Sequence, residues 1–109
     1  MTPPPPFQDN VQPMKASYVY LLRSLKDGRF YLGWTTDLER RLNEHNAGLT
    51  RSTRARRPFE IVYYETYSCA EDAKRRERIL KRNPRMFYYF KKRALNNELT
   101  PKGVTEVVV

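Results

Sequence analysis

The chain has 109 residues, 39% of them hydrophobic, with 21 Lys and Arg against 12 Asp and Glu, for a formal net charge of +9 and a pI near 9.9. That length allows one small domain with a modest core, and no apolar run suits a transmembrane helix or a signal peptide. A single cysteine, Cys69, excludes an internal disulfide and fits a reducing cytoplasm, and with His45 the one histidine a structural zinc site is excluded as well. Cys69 itself reads as a small helix residue.

The basic excess points to nucleic acid, acidic membranes or acidic proteins as partners. It is concentrated in RSTRARRP at 51–58 and KRRERILKRNPR at 74–85. Eight tyrosines lie among these charges, and aromatic faces near cations suit stacking on unpaired bases. The plainer alternative is that the runs are solvated faces and the tyrosines sheet residues.

In chain order, residues 1–16 are Pro-rich without periodicity and are expected to form a disordered or extended leader. Residues 17–95 follow as the domain. Tyr18, Tyr20 and Leu22 alternate with Val19 and Leu21, the pattern of a strand with two unlike faces. Asp27-Gly28 reads as a tight turn, and Phe30 to Trp34 as the returning strand. A two-residue turn pairs Lys26 with Arg29 and puts Tyr20 and Tyr31 on one face beside Gly33; a three-residue loop separates them.

Thr36-Asp37-Leu38-Glu39 has the form of a capping box opening a helix. On that helix Arg41 and His45 share a face, as do Leu38 and Leu42. Gly48 is placed as its stop. A basic loop covers 49–58, and Phe59 to Glu65 reads as a third strand. Ser68-Cys69-Ala70-Glu71 repeats the capping pattern before a helix reaching Arg82. Asn83-Pro84 opens a third helix ending near Leu95. The tail, 96–109, ends in GVTEVVV, which either adds an edge strand or hangs free. The order is β-β-α-β-α-α, an α+β fold with a three-stranded antiparallel sheet flanked by helices.

In the second helix Ala70, Ala73, Glu77 and Leu80 recur at helical spacing, so Glu77 falls in the apolar stripe. A carboxylate there needs a partner, because an unpaired buried charge costs several kcal/mol. Two partners are open: an arginine such as Arg41, or a metal ion.

The ordered set YVY at 18–20, YLG at 31–33 and Arg41 resembles the GIY-YIG nuclease superfamily. The similarity is greatest to small stand-alone members with a YVYxL start and a DLERRLxxHN helix, and it covers roughly Ser17 to Leu95. The resemblance implies a metal-dependent DNA endonuclease that hydrolyses phosphodiesters, with repair or recombination as its expected setting. It implies Mg²⁺ or Mn²⁺ on Glu77, with Lys81 four residues on, and Arg41 on the non-bridging phosphate oxygens. Tyr20 is then the base, its phenol lowered by metal and arginine, with Tyr31 and His45 assisting. Arg51, Arg54, Arg56, Arg57, Lys74, Arg78 and Lys81 are the expected DNA-binding residues. DNA is the expected partner, single-stranded or branched forms included, with no membrane and no small-molecule cofactor.

The sequence departs from the family in places. Trp34 stands where excision-repair relatives carry lysine. Asn83 follows Glu77 too soon to be the late active-site asparagine, and Tyr88-Tyr89-Phe90 occupies the matching region. No second zinc-binding or DNA-targeting module is read in these residues. The residues alone also allow packed tyrosines, a surface arginine at 41, and His45 as a helix-end cap. The rival functions are a catalytically silent nucleic-acid-binding module and an assembly protein that uses the basic loop.

Overall fold

The sheet is built on the first strand, β1 (Ser17–Ser24), which pairs on both sides. The computed structural model describes residues 15–96 and the backbone of 106–108, so the leader over 1–14 and most of the tail lie outside the described residues. β2 (Phe30–Thr35) runs antiparallel to β1 on one side and β3 (Phe59–Tyr67) antiparallel on the other. Among the described residues three α-helices, α1 (Leu38–Asn46), α2 (Ala70–Arg82) and α3 (Pro84–Leu95), and one short 3-10 turn, Arg54–Arg56, accompany the sheet. A short strand from the tail, β4 (Glu106–Val108), pairs parallel with β3, giving the order β2-β1-β3-β4.

Inside the hydrogen-bonded Ser24–Arg29 pair the loop from β1 to β2 has four residues, Leu25 to Gly28, in place of a two-residue turn. The Ser24 amide donates to the Arg29 carbonyl at 2.8 Å, and the Gly28 amide donates to the Ser24 carbonyl at 2.9 Å. Side chains explain the longer loop. The Ser24 hydroxyl accepts from the amides of Lys26 and Asp27, each at 3.1 Å, and Asp27 Oδ1 accepts from the Arg29 amide at 2.9 Å. Gly28 closes the loop at φ +73°, a region that costs other residues strain. Two added residues shift the register by two and preserve its parity. Tyr20 therefore opposes Gly33 and Leu22 opposes Tyr31, with all four on one face.

That face packs against α1: Tyr20, Leu22 and Phe59 are buried, with Leu38, Leu42 and Ile61 against them. The opposite face packs against α2 and α3, burying Val19, Leu21, Leu32, Tyr63, Ala73, Leu80 and Phe90. Each fully buried Leu or Val contributes about 1.5–3 kcal/mol relative to exposure. Between Leu21 and Leu22 the pairing with β3 slips by one residue at a bulge, so Ile61 joins the α1 face.

Two helix starts differ from the sequence reading by one residue. Asp37, not Thr36, caps α1, accepting from the Arg40 amide at 3.0 Å. The Thr35 hydroxyl in turn accepts from the Asp37 amide at 3.1 Å, which places the aspartate at the cap. α2 begins after Cys69, with no side-chain cap; Glu71 and Asp72 in its first turn complement the helix dipole. Asn83 caps α3 as expected, accepting from the Met86 amide at 3.1 Å. α1 stops at Gly48 (φ +80°), and the Leu49 amide reaches back to the Glu44 carbonyl at 3.0 Å.

Sequence reasoning gave Glu65 no role, yet this carboxylate is buried at 1% exposure on the α2–α3 face. Arg76 binds it through two nitrogens at 3.0 and 3.3 Å, and the Tyr67 hydroxyl donates to it at 2.7 Å. Arg93 on α3 stands 3.9 Å away. This cluster ties α2 and α3 to β3 and fixes the helix that carries Glu77.

Candidate active site

Tyr20 lies at the centre of the α1 face, 2% exposed, with its phenol crossing β2 over Gly33. A Cβ on Gly33 would lie 2.5 Å from the Tyr20 hydroxyl and 2.7 Å from its Cζ, so only glycine permits this crossing. The hydroxyl meets two residues of α1 at once. Arg41 Nε–H donates to it at 3.4 Å, and His45 Nε2 stands 3.1 Å from it. One turn of helix separates Arg41 from His45, which is why both reach the same oxygen. Tyr31 completes the group, its ring 4.9 Å from that of His45 and 6.4 Å from that of Tyr20.

Burial dominates the electrostatics. It pushes the Tyr20 phenol up to about 12, against the lowering effect of the Arg41 hydrogen bond; the charges of Tyr31 and Glu77 add to the rise. The expected depression is thus reversed in the chain itself: desolvation outweighs one guanidinium. Burial also works against the charge of Arg41, but hydrogen bonds to Tyr20 and Glu44 outweigh it and hold the guanidinium more firmly protonated. Glu44 Oε1 accepts from Arg41 Nη1 at 3.0 Å, so Glu44, and not Glu77, is the partner of Arg41.

His45 is fully buried, and burial followed by the Arg41 charge lowers it to about 4. It is neutral at physiological pH, which sets aside its reading as a charged helix-end cap. The unfolded chain takes up a proton near 6.5 that the folded chain refuses until about 4. Stability contributed by neutral His45 is therefore complete above pH 6.5 and falls as pH drops toward 4, by about 3 kcal/mol. Urea unfolding of wild type and His45→Gln at pH 7 and pH 4.5 checks this. The wild type should lose more stability than the variant, and equal losses would contradict a buried neutral imidazole.

Glu77 is 19% exposed at its side chain and pairs with Lys81 Nζ at 3.4 Å. It is not an orphaned buried charge, since α2 turns this edge of its stripe toward solvent. Lys81 lines a recess of about 330 Å³ together with Tyr31, Phe30, Pro84 and Phe87, which links the Glu77 turn of α2 to the tyrosine cluster. Among the described residues no three His, Cys, Asp or Glu side chains gather as a metal cage.

The basic residues divide. Arg51, Arg54 and Arg57 share a recess with Lys26 at the loop end of the hairpin. Arg56 is turned inward: its Nε meets Asp27 at 3.2 Å and its Nη2 donates to the Phe30 carbonyl at 3.3 Å. Lys74 lies over the Trp34 ring at 5.1 Å and near Glu71 at 3.7 Å, and Arg78 is exposed on α2. Asn83 serves as a helix cap.

Sequence reasoning missed Thr53, which it read only as part of a basic loop. Thr53 is 0% exposed, and its hydroxyl stands 2.8 Å from His45 Nδ1. The available signal was a hydroxyl residue within a short loop returning past the end of the helix that carries a lone histidine.

Comparison with known proteins bears on this geometry. The model of the GIY-YIG catalytic domain matches residues 16–93. A UPF0213 protein of Streptococcus pneumoniae is 41% identical over 70 residues, covering 63% of this chain and 70% of that protein. One from Clostridium perfringens is 38% identical over 84 residues, covering 76% and 78%. The solution NMR structure of a UPF0213 protein from Bacillus halodurans is 34% identical, covers 76% of this chain and 87% of its own, and superposes with a TM-score of 0.45. The matched span runs from the start of β1 into α3 and so includes both tyrosines, Arg41, His45 and Glu77: the chain belongs to the GIY-YIG family of nuclease domains.

Proposed function

We propose that this protein is a divalent-metal-dependent endonuclease that hydrolyses phosphodiester bonds in DNA, in a setting of repair or recombination. The observation that carries the reading is the buried Tyr20 hydroxyl held between Arg41 Nε and His45 Nε2. A packing tyrosine needs one hydrogen-bond partner. Here a cation lies on one side and a neutral base on the other.

The residues fit a hard divalent ion. Mg²⁺ or Mn²⁺ takes one or two protein carboxylates and fills its remaining sites with water and substrate phosphate. Glu77 offers such a carboxylate, and its ion pair with half-exposed Lys81 is worth only about 0.3–0.5 kcal/mol, so the lysine is readily displaced. The ion would be held by Glu77 and would supply Lewis-acid stabilisation of the phosphate and the leaving oxygen.

The remaining chemistry belongs to the chain. Arg41, kept charged by Tyr20 and Glu44, has N–H groups left for a non-bridging phosphate oxygen. Tyr20 orients the attacking water and receives its proton. Forming a free phenolate at pH 7 from a group titrating near 12 would cost about 7 kcal/mol. Handing the Tyr20 proton to His45 Nε2, against an imidazole titrating near 4, costs about 4 kcal/mol. The proton therefore takes that route as the water proton arrives, and the phenol never carries a full charge. Tyr31 walls the imidazole and keeps water from it.

Supercoiled, linear duplex, single-stranded and branched DNA, each with and without Mg²⁺ or Mn²⁺, test the reading. Cleavage should appear only with metal. Binding without cutting under every condition would instead identify a silent binding module. The same DNA tests the basic loop: replacing Arg51, Arg54 and Arg57 with Ala should lower the salt slope of log affinity by about 0.9 per lost phosphate contact on duplex. An unchanged slope would place DNA elsewhere.

A further inference from the structure

We infer that Thr53 is a positioning residue that fixes the tautomer of His45, making the basic loop a working part of the proton path. The inference rests on the reading of Tyr20 and His45 as that path. One end of the imidazole selects a hydrogen placement and the other end accommodates it. At Nε2 the neighbour is the hydroxyl of Tyr20, a residue 2% exposed, and Arg41 Nε–H also meets that hydroxyl. Arg41 only donates, so among the described residues that meet the Tyr20 hydroxyl His45 Nε2 is the acceptor for its proton, which leaves Nε2 bare.

At Nδ1 the neighbour is the Thr53 hydroxyl at 2.8 Å, which also lies 3.4 Å from the Thr50 carbonyl. With Nε2 bare, the neutral imidazole carries its hydrogen on Nδ1 and donates it to Thr53 Oγ1. The Thr50 carbonyl, which only accepts, is the outlet for the Thr53 hydroxyl hydrogen. A guanidinium at one end and a carbonyl at the other thus orient the whole chain of hydrogen bonds. It runs from Tyr20 through His45 and Thr53 to Thr50. The opposite tautomer would point Nε2–H at Tyr20 and block the proton it must receive.

Thr53 reaches this position because its loop is fastened on both sides. Its amide donates to the Thr50 carbonyl at 3.2 Å, and Arg54 Nε donates to the Gly48 carbonyl at 3.1 Å. Lys26 Nζ holds the Ala55 carbonyl at 3.0 Å from the hairpin side. The arginines that we assign to phosphate binding flank Thr53 in sequence. The segment that would grip DNA is therefore the one that sets the imidazole.

His45 is the one histidine in the chain, so its imidazole gives a single set of long-range ¹⁵N–¹H correlations. In wild type these should place the hydrogen on Nδ1 and leave Nε2 bare. Thr53→Val keeps the branched shape without the hydroxyl. It should mix the tautomers and lower single-turnover cleavage about 10- to 100-fold, with KM within about twofold. Thr53→Ser should restore both. Hydrogen on Nε2 in wild type, an unaltered imidazole spectrum in Thr53→Val, or full cleavage by that variant would each overturn the inference. Should the valine variant misfold, the wild-type tautomer and the serine variant still decide: a folded serine variant with a wrong tautomer refutes it. Wild-type protein that cuts no DNA would refute the nuclease reading, while its imidazole spectrum would still test Thr53.

Discussion

Glu77→Gln should fold and bind DNA like wild type while losing metal-dependent cleavage by about 10³-fold, the equivalent of about 4 kcal/mol of transition-state stabilisation. Glutamine keeps the shape and removes the charge that a hard cation requires from its oxygen ligands. The stability cost is small, because the ion pair of Glu77 among the described residues is with half-exposed Lys81. In metal-free buffer the variant should bind DNA at least as tightly, since a carboxylate that repels phosphate is gone. Cleavage and affinity measured together, with and without Mg²⁺, check both halves. Full activity would leave Glu77 as a plain ion-pair partner of Lys81 and remove it from the site.

Tyr20→Phe should lower cleavage about 10²- to 10⁴-fold, the range for loss of a positioned general base, with KM little changed. The phenylalanine fills the same volume over Gly33, so the sheet keeps its packing. The Arg41 and His45 nitrogens lose a buried partner, and stability should fall by about 1–3 kcal/mol. Assays belong well below the lowered melting temperature for that reason. Tyr31→Phe is the control: Tyr31 is half-buried and only its ring meets His45, so its loss should cost much less. If the two variants exchanged their effects, the base would be Tyr31.

Much of this arrangement was legible because local patterns carried it. Alternation in β1 placed Tyr20 and Leu22 on one face, and helical spacing placed Arg41 with His45. The turn was misread by two residues without harm, since a shift of two preserves parity. The cap of α1 moved by one residue because neighbouring Thr35, Thr36 and Asp37 offer similar chemistry, and only backbone geometry selects among them. α2 starts one residue late as well, after Cys69 and with no side-chain cap. What stayed hidden depends on contacts distant in sequence. The carboxylate that needed a partner was Glu65, whose arginine lies 11 residues on in the next helix. Glu77 was placed in an apolar stripe that proves half open, because periodicity gives a direction around a helix and not the extent of what covers it. The phenol of Tyr20 is raised for a similar reason, since burial is summed over all neighbours and no motif records it.

Gly33 and Tyr20 occupy one volume, divided so that all of the side chain belongs to the tyrosine. In evolutionary terms the two positions are epistatic. While the phenol crosses β2, every substitution at 33 collides with it, and the collision includes ring carbon as well as oxygen, so phenylalanine at 20 gives no relief. A lineage that abandoned catalysis by replacing Tyr20 with a small residue would free position 33 to drift, and a side chain fixed there would then bar the tyrosine's return. Loss of function by that route acts as a ratchet. The occupant of position 33 therefore records whether a member of this lineage has passed it.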